Sequence, residues 1–394
     1  MAEIIVPGAQ TLKTIEKALK DNYLPAWRNG LTTEPTPLLS KLKKVKLTSN
    51  KIIASAPQGL SGGFGFGAEG HATPAAGNVM FERFETYAKD MYVNIAISAK
   101  AVRLANSGGS MANALDTEVK AAYETAKWNV GRSLFGNGTG ILATTEAVTG
   151  GKVITVGDTK FMKEGLIIDI YETGDTEATA KGVRIVSVDR VNKTITLASD
   201  VTVGAGFITV QNSYNREITG LGAIFDEGIT SLYGVKKAEN KIIVPTTVDA
   251  NTDIDDSVIW DAVEGAETYK NSKIDTILMG KSAYKHYIEY LRTNNVRVEN
   301  MSKDIVGGFK SLAYAFGNRE IDVMYDQFVP DNEAWCLDSK ALELHTQEWD
   351  FADLQGGGIF NLMENSSIYR ALLANYGDLI CTNPGGCVRI TNCA

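Results

Sequence analysis

Residues 110–145 read SMANALDTEVKAAYETAKWNVGRSLFGNGTGILATT, and this stretch decides the fold class. Leu115, Val119, Ala122, Ala126 and Val130 step by 4, 3, 4 and 4 residues, which is the stripe of one helical face. The spacing predicts a helix over 110–135, with Ser110 or Asn113 as cap and Gly136 as its end. A helix of that length is a spine for a domain rather than a small packing helix.

Downstream the composition shifts. Residues 153–210 are rich in Val, Ile and Thr, and VITV, GLIIDIYET, GVRIVSVDR, KTITLAS and FITVQ follow one another between turns. Short strands at such regular spacing indicate a small all-β unit, with a hairpin turn at 189–193. It reads as an insertion, because helix-bearing text resumes afterwards. Ile259, Ala262, Val263 and Ala266 make one helical stripe, and Tyr284, Tyr287, Ile288 and Leu291 make another. Residues 274–279, 321–325 and 335–337 read as strands, and so do 367–374 and 377–381 after the glycines at 356–358.

Upstream lies an unusual segment. Residues 55–77 read SAPQGLSGGFGFGAEGHATPAAG, too poor in large apolar groups for a core of its own. Strand-like flanks at 51–54 and 79–87 bracket it, so it reads as a hairpin-like arm projecting from the body. A strand is expected over 91–104. Before the arm, a short helix is expected over 11–20 and another over 38–44, with Pro25, Pro35 and Pro37 interrupting regular structure. The run KLKKVK gathers Lys41, Lys43, Lys44 and Lys46, either as a solvated basic face or as a grip on an acidic neighbour.

The 394 residues carry 39 Lys+Arg against 47 Asp+Glu, a net charge of −8. With 44% apolar and 22% charged residues, wholesale disorder is excluded and a strongly basic nucleic-acid binder is disfavoured. No run approaches 18 apolar residues, so no membrane span is expected, and the N-terminus has no signal-peptide pattern. The four cysteines, 336, 381, 387 and 393, include no CxxC pair. Two readings stand for the tail: buried idle thiols, or cross-links through Cys381, Cys387 or Cys393 after release from a reducing cytoplasm.

Several motifs fail in context. The GxGxxG at 65–70 is followed by Pro74 and Gly77, so no helix opens to face a pyrophosphate. The GxSxG at 59–63 has no strand-to-helix elbow, and its three histidines, 71, 286 and 345, lie in unrelated contexts. Gly280-Lys281-Ser282 would need a glycine where Asp275 stands. Asp249, Asn251 and Asp253 begin like a calcium loop, but Ile254 and Trp260 replace its glycine and closing glutamate. No HExxH or zinc-type cluster is present. No catalytic, cofactor or metal site is expected, and the chain does not read as an enzyme.

The order of parts is more informative than any motif. It resembles that of the tailed-bacteriophage major capsid proteins, an α+β Hong Kong 97-like fold, over nearly the whole chain. AKWNVGRSLFGNGTGILAT (126–144), VGDTKFMKEGLIIDI (156–170), GNREIDVMYDQFVPDNEAWCLDSKALELH (317–345) and SSIYRALLANYGDLICTNPGG (366–386) carry the likeness. The resemblance implies an N-arm at 1–47, an E-loop at 48–90, and a peripheral domain at 91–145 that holds the spine helix. An all-β insertion domain follows at 146–216, then a peripheral return at 217–235. An axial domain at 236–358 precedes peripheral C-terminal strands and a tail at 359–394.

It further implies hexamers and pentamers closing into an icosahedral shell around packaged double-stranded DNA. Inter-subunit contacts are expected at Phe64, Phe66 and Glu69 of the arm and at the N-arm lysines. The implied partners are other copies of the chain, a separate scaffolding protein, a portal, a decoration protein on the insertion domain, and DNA by non-specific proximity. The implied location is the virion, after assembly in the host cytoplasm. Some members cross-link neighbours through an E-loop lysine; residues 52–88 contain none, so no such bond is expected. The competing readings are an encapsulin-type nanocompartment and a cytoplasmic α/β enzyme.

Overall fold

The structure, a computed structural model, describes residues 19–59, 61–70, 72–98, 110–251, 253–294, 302–305, 309–352, 359–363 and 366–393. The described chain begins with α1 (Leu24–Thr33), α2 (Pro37–Lys41) and β1 (Lys43–Lys46). The arm strands β2 (Lys51–Gln58) and β3 (Met80–Tyr87) follow, then β4 (Lys89–Ser98) and the spine helix α3 (Ser110–Phe135). A run of strands comes next: β5 (Ile141–Thr145), β6 (Val148–Thr155), β7 (Ile167–Glu172), β8 (Ala180–Asp189), β9 (Thr194–Val203) and β10 (Gly206–Val210). After α4 (Leu221–Phe225) come β11 (Ser231–Leu232), β12 (Val235–Lys236), β13 (Thr246–Asp249), α5 (Asp256–Lys270), β14 (Thr276–Met279) and α6 (Lys281–Thr293). The chain ends with β15 (Ser302–Ile305), β16 (Phe309–Phe316), β17 (Arg319–Tyr325), β18 (Ala334–Leu337), β19 (Leu342–Thr346), β20 (Asp350–Phe351), β21 (Asn361–Leu362), β22 (Ile368–Cys381) and β23 (Val388–Thr391).

These elements form two compact units, Arg132–Ala223 and the remainder. In the larger unit, β22 is the organising strand of one sheet, ordered β1-β19-β22-β20, with β4 and β21 also paired to β22. Apolar residues of α1 and α3 cover it: Trp27, Leu31, Val119 and Ala126 share a core with Ile95, Phe351 and Leu373. The stripe read from sequence therefore faces this sheet at Val119 and Ala126, while the Leu115 side chain lies outside the described residues. The expected helix at 11–20 also falls outside them, save for its last two residues.

A second sheet in the same unit runs β13-β23-β18-β14-β17-β16-β15. Ile277, Val323, Cys336 and Ile390 of its strands pack with Ile259 and Val263 of α5 and Tyr287 and Leu291 of α6. Asp255 caps α5 by accepting from Val258 N at 2.9 Å, and Asn271 ends it in the left-handed region at φ 49°. The Gly280 motif is explained by packing, since a Cβ there would lie 1.9 Å from the Pro330 carbonyl oxygen.

The smaller unit is one antiparallel sheet, β5-β10-β7-β8-β9-β6, whose two edges meet at the bridge Thr145↔Val156. Joining the edges removes the exposed row of unpaired backbone groups that an open sheet would present. Ile154, Ile168, Ile170, Ile185, Ile195 and Ile208 are buried in it. The β-rich text at 153–210 lies within this unit. However, β5, expected within the 91–145 peripheral segment, pairs with β10 of this sheet.

Other expectations are corrected. Pro25 and Pro37 do not interrupt helices but start them, sitting in the first turns of α1 and α2 where no amide hydrogen is needed. The helix expected over 38–44 stops at Lys41, and 43–46 instead pair in parallel with Glu343–Thr346. Residues 367–374 and 377–381 form one strand, because pairing to β4 and to β19 both run through Gly377. The expected axial span divides as well: β19 and β20 join the first sheet, while β23 from the expected peripheral tail joins the second.

Candidate assembly surfaces

The arm is a hairpin in continuous register from Lys51↔Tyr87 to Gln58↔Met80. Strand alternation splits it into two faces. Ile52, Ala56, Phe84 and Thr86 are buried on one; Ile53, Phe81 and Tyr87 are exposed on the other. Phe84 fixes the base, packing its ring 5.7 Å from that of Tyr233 at a 42° tilt, and the Tyr233 carbonyl accepts from Glu85 N at 2.9 Å. Thr86 Oγ1 donates to Asp378, which is fully buried in β22. On the outer face Glu85 pairs with Lys51 at 2.5 Å and Arg83 at 2.7 Å. The Lys51 hydrogen bond holds the Glu85 carboxyl below its ordinary range.

Beyond the strands the two legs run without further ladder but in contact. Ser61 Oγ donates to Gly77 O at 3.1 Å, and a Cβ on Gly77 would come within 2.3 Å of Gly62 N. Glycine thus makes a narrow ribbon. At its tip Phe64 is 81% and Phe66 95% exposed, edge-to-face at 5.3 Å, and Glu69 is exposed beside them. Two phenylalanines held against each other in water are an unusual arrangement for a lone subunit.

The four N-arm lysines separate into two pairs. Lys41 Nζ donates to Asp322 and, at 3.2 Å, to Thr276 Oγ1. Lys43 pairs with Glu343 at 2.5 Å. Both are engaged within the chain, whereas Lys44 and Lys46 are exposed on β1. The sequence run alone gave no sign of this division, since the acidic partners lie some three hundred positions away. Arg28, not singled out from sequence, donates to Trp349 O at 2.7 Å and pairs with Glu348 and Asp350 at 3.3 Å each. Tyr233 was missed too; its positive φ of 50° before Gly234 marks a tight turn that the sequence did not advertise.

Cys381, Cys387 and Cys393 are free thiols buried inside the subunit, as is Cys336. Burial raises the Cys393 thiol to about 12 and pushes Cys336 higher still. Cys387 Sγ donates to Asn383 O at 3.9 Å and Cys381 N donates to Tyr233 Oη at 3.2 Å, and the neighbouring Cys381 together with burial raises the Cys387 thiol. A cross-link between subunits would require these groups to leave the interior. Asp249 accepts from Asn251 N at 2.9 Å and from Asn392 Nδ2 at 3.0 Å, and Asp253 faces His286 Nδ1 at 3.7 Å. Among the described residues no three His, Cys, Asp or Glu side chains are grouped to hold a metal ion, and no helix is long and apolar enough to cross a membrane.

No family model and no curated protein matches this chain. Solved structures match it along most of its length. The cyanophage A-1(L) capsid asymmetric unit is similar at 10% identity and a TM-score of 0.52, over 90% of this chain and 92% of that one. The holo-SrpI encapsulin complex from Synechococcus elongatus matches at 9% identity and a TM-score of 0.46, over 89% and 85%. The satellite phage P4 procapsid matches at 10% and 0.45, over 93% and 90%. The cyanophage likeness carries the assignment: this chain has the α+β Hong Kong 97-like fold of the tailed-phage major capsid proteins.

Proposed function

We propose that this chain is the major capsid protein of a tailed phage, assembling as hexamers and pentamers into an icosahedral shell around double-stranded DNA. One observation on this fold carries the reading. The arm anchors its base on its own subunit through Phe84 and holds Phe64 and Phe66 out in water at 81% and 95% exposure. Such a pair gains its burial against a second copy. Stable interfaces bury ~1,600 Å² and obligate ones more, and a projecting hairpin with Ile53, Phe81 and Tyr87 exposed on its outer face extends the area one subunit can offer.

In this reading the partners are other copies of the chain, a separate scaffolding protein, a portal, and a decoration protein on the smaller unit. Lys44 and Lys46 remain available for an acidic neighbour, and Glu69 for a basic one. The net charge of −8 suits a shell that does not clamp the DNA it encloses. The subunit is structural rather than catalytic; it is made and assembled in the host cytoplasm and resides in the virion.

Negative-stain electron microscopy of the expressed protein, after sizing at moderate and high concentration, tests the proposal. Closed shells, rings of six or rings of five support it. A compact monomer that stays single when concentrated with a scaffold overturns it. Shells filled with protein instead of DNA in the native host would move the reading to an encapsulin-type compartment.

A further inference from the structure

The two sheets of the larger unit are joined by adjacent chain crossings. Residues 338–341 lead from β18 in the second sheet to β19 in the first, and 382–387 lead from β22 in the first to β23 in the second. They touch where Thr382 N and Oγ1 both donate to Ala341 O, at 2.8 and 3.1 Å. Each crossing is tied to the second-sheet side. Ser339 N donates to Asp275 at 3.0 Å, and Asn383 Nδ2 donates to Lys270 O at 3.2 Å. The crossings therefore leave the second-sheet side at 341–342 and 381–382, side by side, where Leu342 pairs with Cys381. A change of angle there is resisted chiefly by the Thr382–Ala341 contact, whereas bending either sheet breaks ladder hydrogen bonds.

The N-terminal segment spans this pivot. Its helix α1 and strand β1 hold the first sheet, through Arg28 on the 348–350 segment and Lys43 on Glu343. Between these anchors Lys41 reaches the second sheet, meeting Thr276 of β14 and Asp322 of β17. Both members of the ion pair are 15% exposed, so the contact is shielded from water.

We propose that residues 37–46 form a strap across a hinge between the two sheets, with the Lys41–Asp322 pair as its latch. Releasing the latch lets the sheets change angle while each stays intact. The inference concerns the single subunit and does not rest on the shell reading.

The four cysteines allow a direct test. Cys381 and Cys387 lie at the pivot, while Cys336 and Cys393 lie inside the second-sheet core. N-ethylmaleimide labelling of the full chain, resolved by cysteine with mass spectrometry, separates hinge opening from unfolding. Lys41→Met and the milder Asp322→Asn are each expected to raise labelling of Cys381 and Cys387 about tenfold, leaving Cys336 and Cys393 at the wild-type rate. The double variant should match either single one, and Lys41→Arg and Lys46→Met, the latter at an exposed β1 position, should label as wild type. Unchanged rates in both Lys41→Met and Asp322→Asn overturn the latch. A rise at all four cysteines together also overturns it, since that is loss of the fold rather than rotation.

Discussion

Arg132, in the last turn of α3, holds Glu217 through two parallel hydrogen bonds, one of 2.9 Å, with the side chains only 6% and 8% exposed. The fork geometry matches a carboxylate, and a cation at a helix C-terminus also complements the helix dipole. Removing one partner leaves the other charge buried. Glu217→Ala is therefore expected to cost about 3–5 kcal/mol, read as a fall in urea midpoint at unchanged slope. Replacing both, Arg132→Met with Glu217→Leu, should recover most of that loss; a double variant weaker than Glu217→Ala would contradict this account.

Phe64→Ser and Phe66→Ser together should leave the isolated subunit's stability within about 0.5 kcal/mol, because both rings are already in water. Assembly should fail at concentrations where wild type closes into shells, each anchor contributing about 2 kcal/mol or more. Sizing chromatography beside thermal unfolding separates the two effects. Shells of wild-type yield would show that the tip is not an anchor.

The base of the arm behaves oppositely. Phe84 is 1% exposed against Tyr233, so Phe84→Ala should cost about 3–5 kcal/mol of subunit stability. Hydrogen exchange should report faster amides along 51–58 and 80–87. A stable variant with an unchanged arm would mean that the Thr86–Asp378 bond carries the anchoring.

Alkaline pH should weaken the larger unit. Burial raises the Cys393 thiol to about 12, and burial together with Asp256 raises the Tyr314 phenol to about 12. In the unfolded chain these groups ionise near ~8.5 and ~10. Their contribution is complete below the unfolded values and is lost as pH rises towards 12, because the unfolded state releases its protons first. Urea midpoints should fall between pH 8 and about 11, and Cys393→Ala should flatten the first part of the fall. A midpoint rising with pH across that window would refute the assignment.

Assembled shells should dissolve into single chains on a reducing denaturing gel. Residues 52–88 carry no lysine; of the two that flank them, Lys51 is held by Glu85 at the base of the arm and Lys89 begins β4. Covalent multimers in intact-mass spectra would require an amine from elsewhere in the chain.

Periodicity made the spine helix, the arm and the all-β unit legible, because each is set by neighbours close in sequence. Val119 and Ala126 follow a helical stripe, and 80–87 alternate as a strand must. The exposed phenylalanines were legible too, since no other large apolar residue among the described residues 61–79 stands near to bury them. Which sheet receives a strand was not. Val388–Thr391 alternates apolar and polar residues, and nothing local says that it lies between β13 and β18 rather than beside β22.

Local chemistry by itself determined the parts of this protein: a long helix, a glycine ribbon, a run of short strands and two helices amid strands. Only the tertiary structure decided their joinery. It split KLKKVK into two lysines paired with Asp322 and Glu343 and two left in water, and it closed the small sheet at Thr145 and Val156. It also brought the crossings at Ala341 and Thr382 together into one pivot. The physical reason is range. Helix and strand propensities act over a few residues, whereas charge pairing and sheet pairing depend on which distant segments the folded chain places within a hydrogen bond of each other.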